Sequence, residues 1–157
     1  MPREAITMTI ERHLITEEPD NGPIISRAVT HGDRVYICGI TGDAGGDITV
    51  QTKRALERID QLLQRAGTDK SRALTAQVWL SDIRLFRQHN LAWNAWVDPQ
   101  NPPVRACVQA ELTAPGLLVE IMLTAARGRR APSTHRRHRR RRRGRHDRGA
   151  LATRGSA

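Results

Sequence analysis

Two charged residues in the C-terminal apolar part of the chain, Arg105 and Glu120, are the best candidates for chemistry. Arg105 lies in the alternating segment 104–112, and Glu120 lies in the segment 117–126. A guanidinium can bind a carboxylate through two parallel hydrogen bonds, and a carboxylate can orient or deprotonate a water molecule. The pair therefore suits a small anionic substrate that is attacked by water. The alternative is that both side chains are simply solvated on a half-exposed sheet.

The alternation of side chains along a strand assigns the residues of these two segments to opposite faces. In the first segment one face is apolar, and the other face carries Arg105, Cys107 and Gln109. In the second segment one face is apolar, and the other face carries Glu120, Met122 and Thr124. We expect both apolar sets to pack on helices, which would leave Arg105 and Glu120 on the face away from the helices.

The distance between Arg105 and Glu120 can be estimated from strand geometry. If residues 113–116 form a hairpin turn, Arg105 lies opposite Thr124 and Glu120 lies opposite Gln109. Four residues along a strand span about 13 Å, which is too far for both groups to hold one small acid. This geometry predicts that Arg105 meets Glu120 of a neighbouring subunit.

The rest of the chain predicts one α+β domain, a mixed sheet with two helices on one face. Asp47 is the expected N-cap of the clearest helix, and Gly67 is its expected stop. His89 is expected on a helix surface and Trp79 at a subunit interface. The predicted strands are 8–14, 25–30, 34–38, 73–81, 104–112 and 117–126, and the predicted helices are 47–66 and 83–97.

Size and composition restrict the class of protein. The 157 residues suffice for one domain, predicted at 8–126 after a flexible extension, 1–7. The sequence has no run of about 18 apolar residues, so no membrane span is predicted. Residues 1–8 lack the apolar stretch of a secretory signal, so a cytoplasmic location is expected. Cys38 and Cys107 are then expected to be free thiols. No Cys/His cluster has zinc spacing, so no metal is predicted.

The C-terminal segment 127–157 carries the whole basic excess of the chain. It holds thirteen arginines and one acid, so its net charge is +12, whereas residues 1–126 carry −2. With one leucine and no aromatic residue, this tail is predicted to be disordered. It could bind phosphates of nucleic acids nonspecifically, but it lacks aromatic rings for base stacking. An incidental extension is the alternative.

Several short motifs, taken together in their order, resemble the RidA/YjgF family of reactive-intermediate deaminases. The signature lies in NPPVRACV at 101–108 and PGLLVEI at 115–121. Gly-Pro at 22–23 with SRAV at 26–29, and VYICG at 35–39, resemble the N-terminal part of the family pattern. The segment 90–97, NLAWNAWV, is closest to the YoaB-like branch.

This resemblance implies a chorismate-mutase-like fold assembled as a homotrimer. It also implies hydrolysis of 2-imino or enamine acids to 2-oxo acids and ammonia, without a metal or an organic cofactor. By position, Arg105 would hold the substrate carboxylate and Glu120 would position the attacking water. Cys107 would line the pocket, and the backbone at Cys38 and Gly39 would form its floor.

Three positions depart from the family pattern. Ile24 and Ile25 stand where the family has a tyrosine, Cys38 replaces a serine, and Ile40 replaces a glutamine. These changes remove polar partners from the pocket wall but leave the carboxylate clamp and the acid. A non-catalytic ligand-binding or regulatory trimer is therefore the alternative. A ribonuclease or translation-inhibitor role would draw support only from the tail.

Overall fold

A computed structural model describes residues 8–16 and 22–128. The predictions for the extension, 1–7, and for the tail from 129 onward lie outside the described residues. The described part forms six strands and two α-helices in the predicted order. They are β1 (Ile10–Ile15), β2 (Ser26–His31), β3 (Arg34–Thr41), α1 (Ile48–Arg65), β4 (Ala73–Leu80), α2 (Phe86–Trp96), β5 (Val104–Gln109) and β6 (Val119–Ala126).

The six strands form one mixed sheet in the order β1-β2-β3-β6-β4-β5. All neighbouring strands are antiparallel except β4 and β5, which run parallel. The α+β class, with a mixed sheet and two helices, is therefore confirmed. None of the helices in the described residues is long and apolar enough to cross a membrane.

The predicted hairpin between the last two strands is wrong, because β4 lies between β5 and β6. The connecting segment passes across the end of β4 rather than reversing in a tight turn. Ala110 N donates to the carbonyl oxygen of Leu80 at 2.9 Å, and Ser81 N donates to the carbonyl oxygen of Leu118 at 3.1 Å. The opposed pairs expected for Arg105 and Glu120 therefore do not form.

Helix α1 provides most of the packing on one face of the sheet. Its N-cap is Asp47, whose carboxylate accepts from Val50 N at 3.0 Å, as predicted. Gly67 follows its end with φ 78°, a left-handed conformation that favours glycine. The apolar stripe of α1 is buried against the strands, and its members are Ala55, Leu56, Ile59, Leu62 and Leu63.

The opposite face of the sheet, called here the open face, is covered by no helix of the described residues. Four large apolar side chains lie on it with 44–71% exposure: Tyr36, Met122, Val104 and Val108. A folded chain rarely leaves such a row of apolar side chains in water. By register and alternation, the open face consists of Tyr36, Thr75, Gln77, Trp79, Val104, Ala106, Val108, Glu120, Met122 and Thr124.

Candidate active site

Arg105 lies on the helix-covered face of the sheet, near its edge. In the parallel pairing of β4 and β5, Arg105 is the partner of Ala76, and Ala76 is buried against the helices. The prediction that Arg105 points away from the helices is therefore wrong. Alternation separates the two faces of β5 correctly, but it cannot say which face a helix covers. The apolar set, including Val104 and Val108, is the one that faces outward.

Helix α2 holds the guanidinium of Arg105 in place. Nη2 donates to Asn90 Oδ1 at 2.8 Å, and Nη1 lies 3.5 Å from His89 Nε2. The guanidinium carbon lies 4.9 Å from the ring centroid of Trp93 and 5.8 Å from that of Phe86, so both aromatic rings attract the cation. Among residues 8–16 and 22–128, no carboxylate pairs with this partly buried charge.

His89 is fully buried, so the prediction of a surface position is wrong. Its Nδ1 lies 3.0 Å from Thr52 Oγ1 on α1. Burial, together with the nearby Arg105, lowers the pKa of His89 to about 4. The sequence did carry a signal, because residues 86, 89, 93 and 96 follow helical spacing and place His89 on the same stripe as Phe86 and Trp93.

Glu120 lies on the open face, as its alternation predicts. It is the partner of Thr41 on β3 and of Trp79 on β4. Its carboxylate rests against the backbone of Gly39, where any Cβ would overlap Glu120 Oε1. Gly39 is therefore the residue that makes room for this carboxylate.

Cys38 and Gly39 form a bulge in β3, since both lie between the ladder partners Ile37 and Ile40. The bulge places the backbone of the two residues next to Glu120. The thiol of Cys38 donates to the carbonyl oxygen of Gly39 at 3.5 Å. Burial raises the pKa of Cys38, although Arg27 opposes this effect. Cys38 is therefore a neutral thiol at pH 7.

Cys107 lies two residues beyond Arg105 on the same face of β5. It is the partner of Val78, and it packs against the edge of the core. Burial raises the pKa of its thiol, and Arg105 lowers it by a smaller amount. Both cysteines are free, and neither is prepared to act as a thiolate nucleophile.

The five predicted site residues thus form two groups on opposite faces of the sheet. Arg105 and Cys107 lie beside α2, whereas Glu120 lies with Cys38 and Gly39 on the other side. The two groups do not meet within one chain. No three His, Cys, Asp or Glu side chains of the described ranges lie close enough to share a metal ion.

A groove of about 800 Å³ lies next to the bulge of β3, since Ile40 is among the residues that line it. It is formed between the end of β1, at Leu14, and the C-terminal half of α1, and it is lined by Arg27, Arg58 and Arg65 among others. Arg58 is already occupied, since it pairs with Asp43 and donates to the carbonyl oxygen of Thr41. Because the groove contains neither Arg105 nor Glu120, its size alone does not make it the candidate site.

Comparison with known proteins identifies relatives over most of the described residues. The family described as Endoribonuclease L-PSP matches residues 17–127. A RutC family protein of Haemophilus influenzae is 38% identical over 120 residues, covering 75% of this chain and 98% of the relative. The RutC family protein YoaB of Escherichia coli is 39% identical over 101 residues, covering 64% and 89% of the two chains.

A solved structure agrees with these matches. The crystal structure of a YjgF family member from Neisseria meningitidis superposes with a TM-score of 0.70 at 32% identity. The match covers 77% of this chain and 97% of that one. Since the family match spans well over half of the sequence and the fold agrees, the chain belongs to the RidA/YjgF family.

Proposed function

We propose that this protein hydrolyses reactive 2-imino and 2-enamino acids to 2-oxo acids and ammonia. In the proposed site, Arg105 of one subunit binds the substrate carboxylate, and Glu120 of a neighbouring subunit positions the water. The assembly is a homotrimer with one such site at each subunit boundary. The relatives support a role within the family, and the imine chemistry is what the resemblance to the RidA/YjgF family implies for the residues of this chain.

The observation that carries the proposal is the partly buried guanidinium of Arg105. It is held by an amide oxygen, an imidazole and two aromatic rings, and no carboxylate among the described residues neutralises it. A partly desolvated cation without a counter-charge favours an anionic ligand. The guanidinium fork matches a planar carboxylate, the group that every 2-imino acid carries.

Glu120 supplies the second requirement of the reaction, a base next to the reacting carbon. Its carboxylate orients a water molecule and takes one of its protons as the oxygen bonds to C2 of the imine. Glu120 passes this proton to the imine nitrogen, which gives a tetrahedral carbinolamine. Glu120 then transfers the proton of the new hydroxyl group to the nitrogen, the C–N bond breaks, and ammonia leaves as the 2-oxo acid forms. One water is consumed, and no oxidant or reductant is needed.

The open face supports assembly into a multimer. Tyr36, Met122, Val104 and Val108 are exposed on it, and burying them against other subunits would remove a large apolar area from water. Trp79 lies on the same face between Glu120 and Val108. In the proposed trimer these faces pack around a three-fold axis, and the β5 edge that carries Arg105 lies beside Glu120 of the next subunit.

A non-catalytic ligand-binding role is the second candidate. Cys38, beside the acid, is a neutral thiol rather than the hydroxyl of the family pattern, and Ile40 is buried in the core. A pocket with fewer polar groups could keep the carboxylate clamp and lose useful turnover. In that case the protein would bind 2-oxo acids through Arg105 but would not accelerate imine loss.

The family name, Endoribonuclease L-PSP, also calls for a test of action on RNA. The wild type and a chain truncated after Ala126 can be compared for RNA binding and cleavage at two salt concentrations. Binding through the arginine-rich tail should fall steeply with salt and disappear on truncation. RNA cleavage that survives truncation would favour the ribonuclease role over the deaminase proposal.

The deaminase proposal is tested directly with 2-iminobutanoate. An amino-acid oxidase produces it in situ from 2-aminobutanoate, and semicarbazide captures the imine that remains. We expect the wild type to lower the captured imine, and Arg105→Ala and Glu120→Gln each to lose about 100-fold or more in rate. Arg87→Ala, at an exposed arginine of α2, and Glu57→Gln, at an exposed glutamate of α1, are the matched controls. Equal imine loss with and without wild-type protein would overturn the deaminase proposal.

A further inference from the structure

We propose that His89, with its proton on Nδ1, is a positioning residue that orients the Arg105 guanidinium toward a ligand carboxylate; this rests on the proposed function. His89 itself touches no substrate in this proposal. It connects Arg105 on β5 to Thr52 on α1, so that two helices and the edge strand together set the direction of the guanidinium.

The tautomer follows from what each partner can donate. A guanidinium only donates hydrogen bonds, so His89 Nε2, which lies 3.5 Å from Arg105 Nη1, must present its lone pair. The proton of the neutral ring is then on Nδ1, 3.0 Å from Thr52 Oγ1, which accepts it. The two ring nitrogens therefore have hydrogen-bond partners at the same time only in the tautomer that carries its proton on Nδ1.

Burial keeps the ring in this state. The side chain of His89 is 0% exposed, and a buried polar group is costly unless it is hydrogen-bonded. A protonated ring would place a second cation against Arg105 in a site with little water. The lowered pKa of His89, to about 4, agrees with this geometry.

A neutral acceptor has an advantage over an acidic one at this position. An aspartate or glutamate would orient Arg105 equally well, but it would neutralise the guanidinium and compete with the substrate carboxylate. His89 and Asn90 accept from Nη1 and Nη2 without adding negative charge. Since a guanidinium has five N–H groups, these two contacts leave three for a ligand.

Three substitutions distinguish the contact of Nε2 with Arg105 from the contact of Nδ1 with Thr52. His89→Gln can place an amide oxygen near the position of Nε2 and so keep the acceptor for Arg105. His89→Asn reaches only the position of Nδ1, so it keeps a donor for Thr52 but not the acceptor. His89→Leu removes both. Asn94→Leu, at an exposed position of α2, is the control.

The first measurement is binding of 2-oxobutanoate, a carboxylate ligand, to the full chain by calorimetry. We expect His89→Asn and His89→Leu to raise the Kd about tenfold, the effect of losing one hydrogen bond to a charged group, and His89→Gln to restore most of the affinity. In turnover the same variants should raise KM more than they lower kcat. A Kd that is equal for the asparagine and glutamine variants would overturn the proposal.

The second measurement needs no variant and therefore does not depend on folding of a mutant. In ¹⁵N-histidine NMR of the wild type, His89 should show a protonated Nδ1 and an unprotonated Nε2 from pH 5.5 to 8. A proton on Nε2, or titration of His89 near pH 6.5, would overturn the proposal. If the tautomer and the Kd series are as expected but no imino acid is turned over, the proposed function fails and the role of His89 in carboxylate binding stands.

Discussion

Arg105 and Glu120 lie on opposite faces of the same sheet, three residues apart along β4, the strand between β5 and β6. Arg105 is the partner of Ala76, and Glu120 is the partner of Trp79. The offset along the strand is about 10 Å, and the sheet itself separates the two side chains. No small acid can contact both groups of one chain, so a shared site requires two subunits.

We therefore expect two inactive variants to restore each other. Arg105→Ala chains keep Glu120, and Glu120→Ala chains keep Arg105, so a boundary between the two contains one intact pair. With random mixing of equal amounts in a closed trimer, about a quarter of the sites should be intact. The measurement is imine hydrolysis after co-expression and purification of the mixed assembly.

The control for this experiment is a mixture of the two variants that were folded and assembled separately, which should stay inactive while subunits do not exchange. If co-assembled variants show no more activity than the separate ones, the two residues do not act across a subunit boundary.

Substituting Gly39 should displace the carboxylate of Glu120. Because a Cβ at Gly39 would overlap Glu120 Oε1, Gly39→Ala must push the side chain of Glu120 away from the bulge. We expect kcat to fall about tenfold or more, while the Kd for 2-oxobutanoate changes little. Gly128→Ala, where a Cβ would meet nothing within 4 Å, is the control. An unchanged kcat in Gly39→Ala would contradict the role given to Glu120.

A charge placed on the open face should prevent assembly. Met122 lies at the centre of this face, beside Gln77, and is 44% exposed in the single chain. If neighbouring subunits cover it, Met122→Arg would bury an unpaired charge, and the assembly should dissociate into monomers. Sedimentation velocity gives the mass of the species in solution.

Leu91→Arg is the matched control, because Leu91 is 72% exposed on α2 and lies outside the open face. This variant should keep the mass of the wild type. Equal masses for Met122→Arg and the wild type would place the subunit contacts somewhere other than the open face.

Stability should decrease at low pH in a way that depends on His89. The ring binds a proton less readily in the folded chain, with a pKa of about 4, than in the unfolded chain, with a pKa near 6.5. The unfolded state therefore takes up more protons as the pH falls from 6.5 to 4, and the free energy of unfolding decreases by up to ~3 kcal/mol. Facing the ring are the cation of Arg105 and the neutral hydroxyl of Thr52.

The check is urea unfolding of the wild type and of His89→Leu at pH 7 and pH 4. We expect the leucine variant to be less stable at pH 7, because Arg105 and Thr52 lose a partner, but to lose less stability between the two pH values. If the free energy of unfolding falls by the same amount in both proteins between pH 7 and pH 4, His89 does not resist protonation in the folded chain.

Local sequence patterns were sufficient to predict the elements of the fold. The apolar stripe from Ala55 to Leu63 and the Asp47 cap identified α1, and both are confirmed. Alternation also assigned the side chains of Glu120 and Ile121 to opposite faces of β6. These features depend on residues a few positions apart, whose relation is fixed by the period of a helix or strand.

The order of the strands in the sheet could not be predicted from local sequence patterns. A turn-like segment at 113–116 suggested a hairpin, but β4 occupies the place between β5 and β6. Pairing of β4 with both neighbours is a contact between segments distant in sequence. Nothing in the local composition of residues 104–126 indicates it.

The sequence by itself determined which residues could do chemistry: a cation and an acid, Arg105 and Glu120, on strands of one small α+β domain. Only the tertiary structure decided that the two lie on opposite faces and that buried His89 contacts the guanidinium. The physical reason is that alternation defines two faces of a strand, whereas which face a helix covers depends on packing among all the elements.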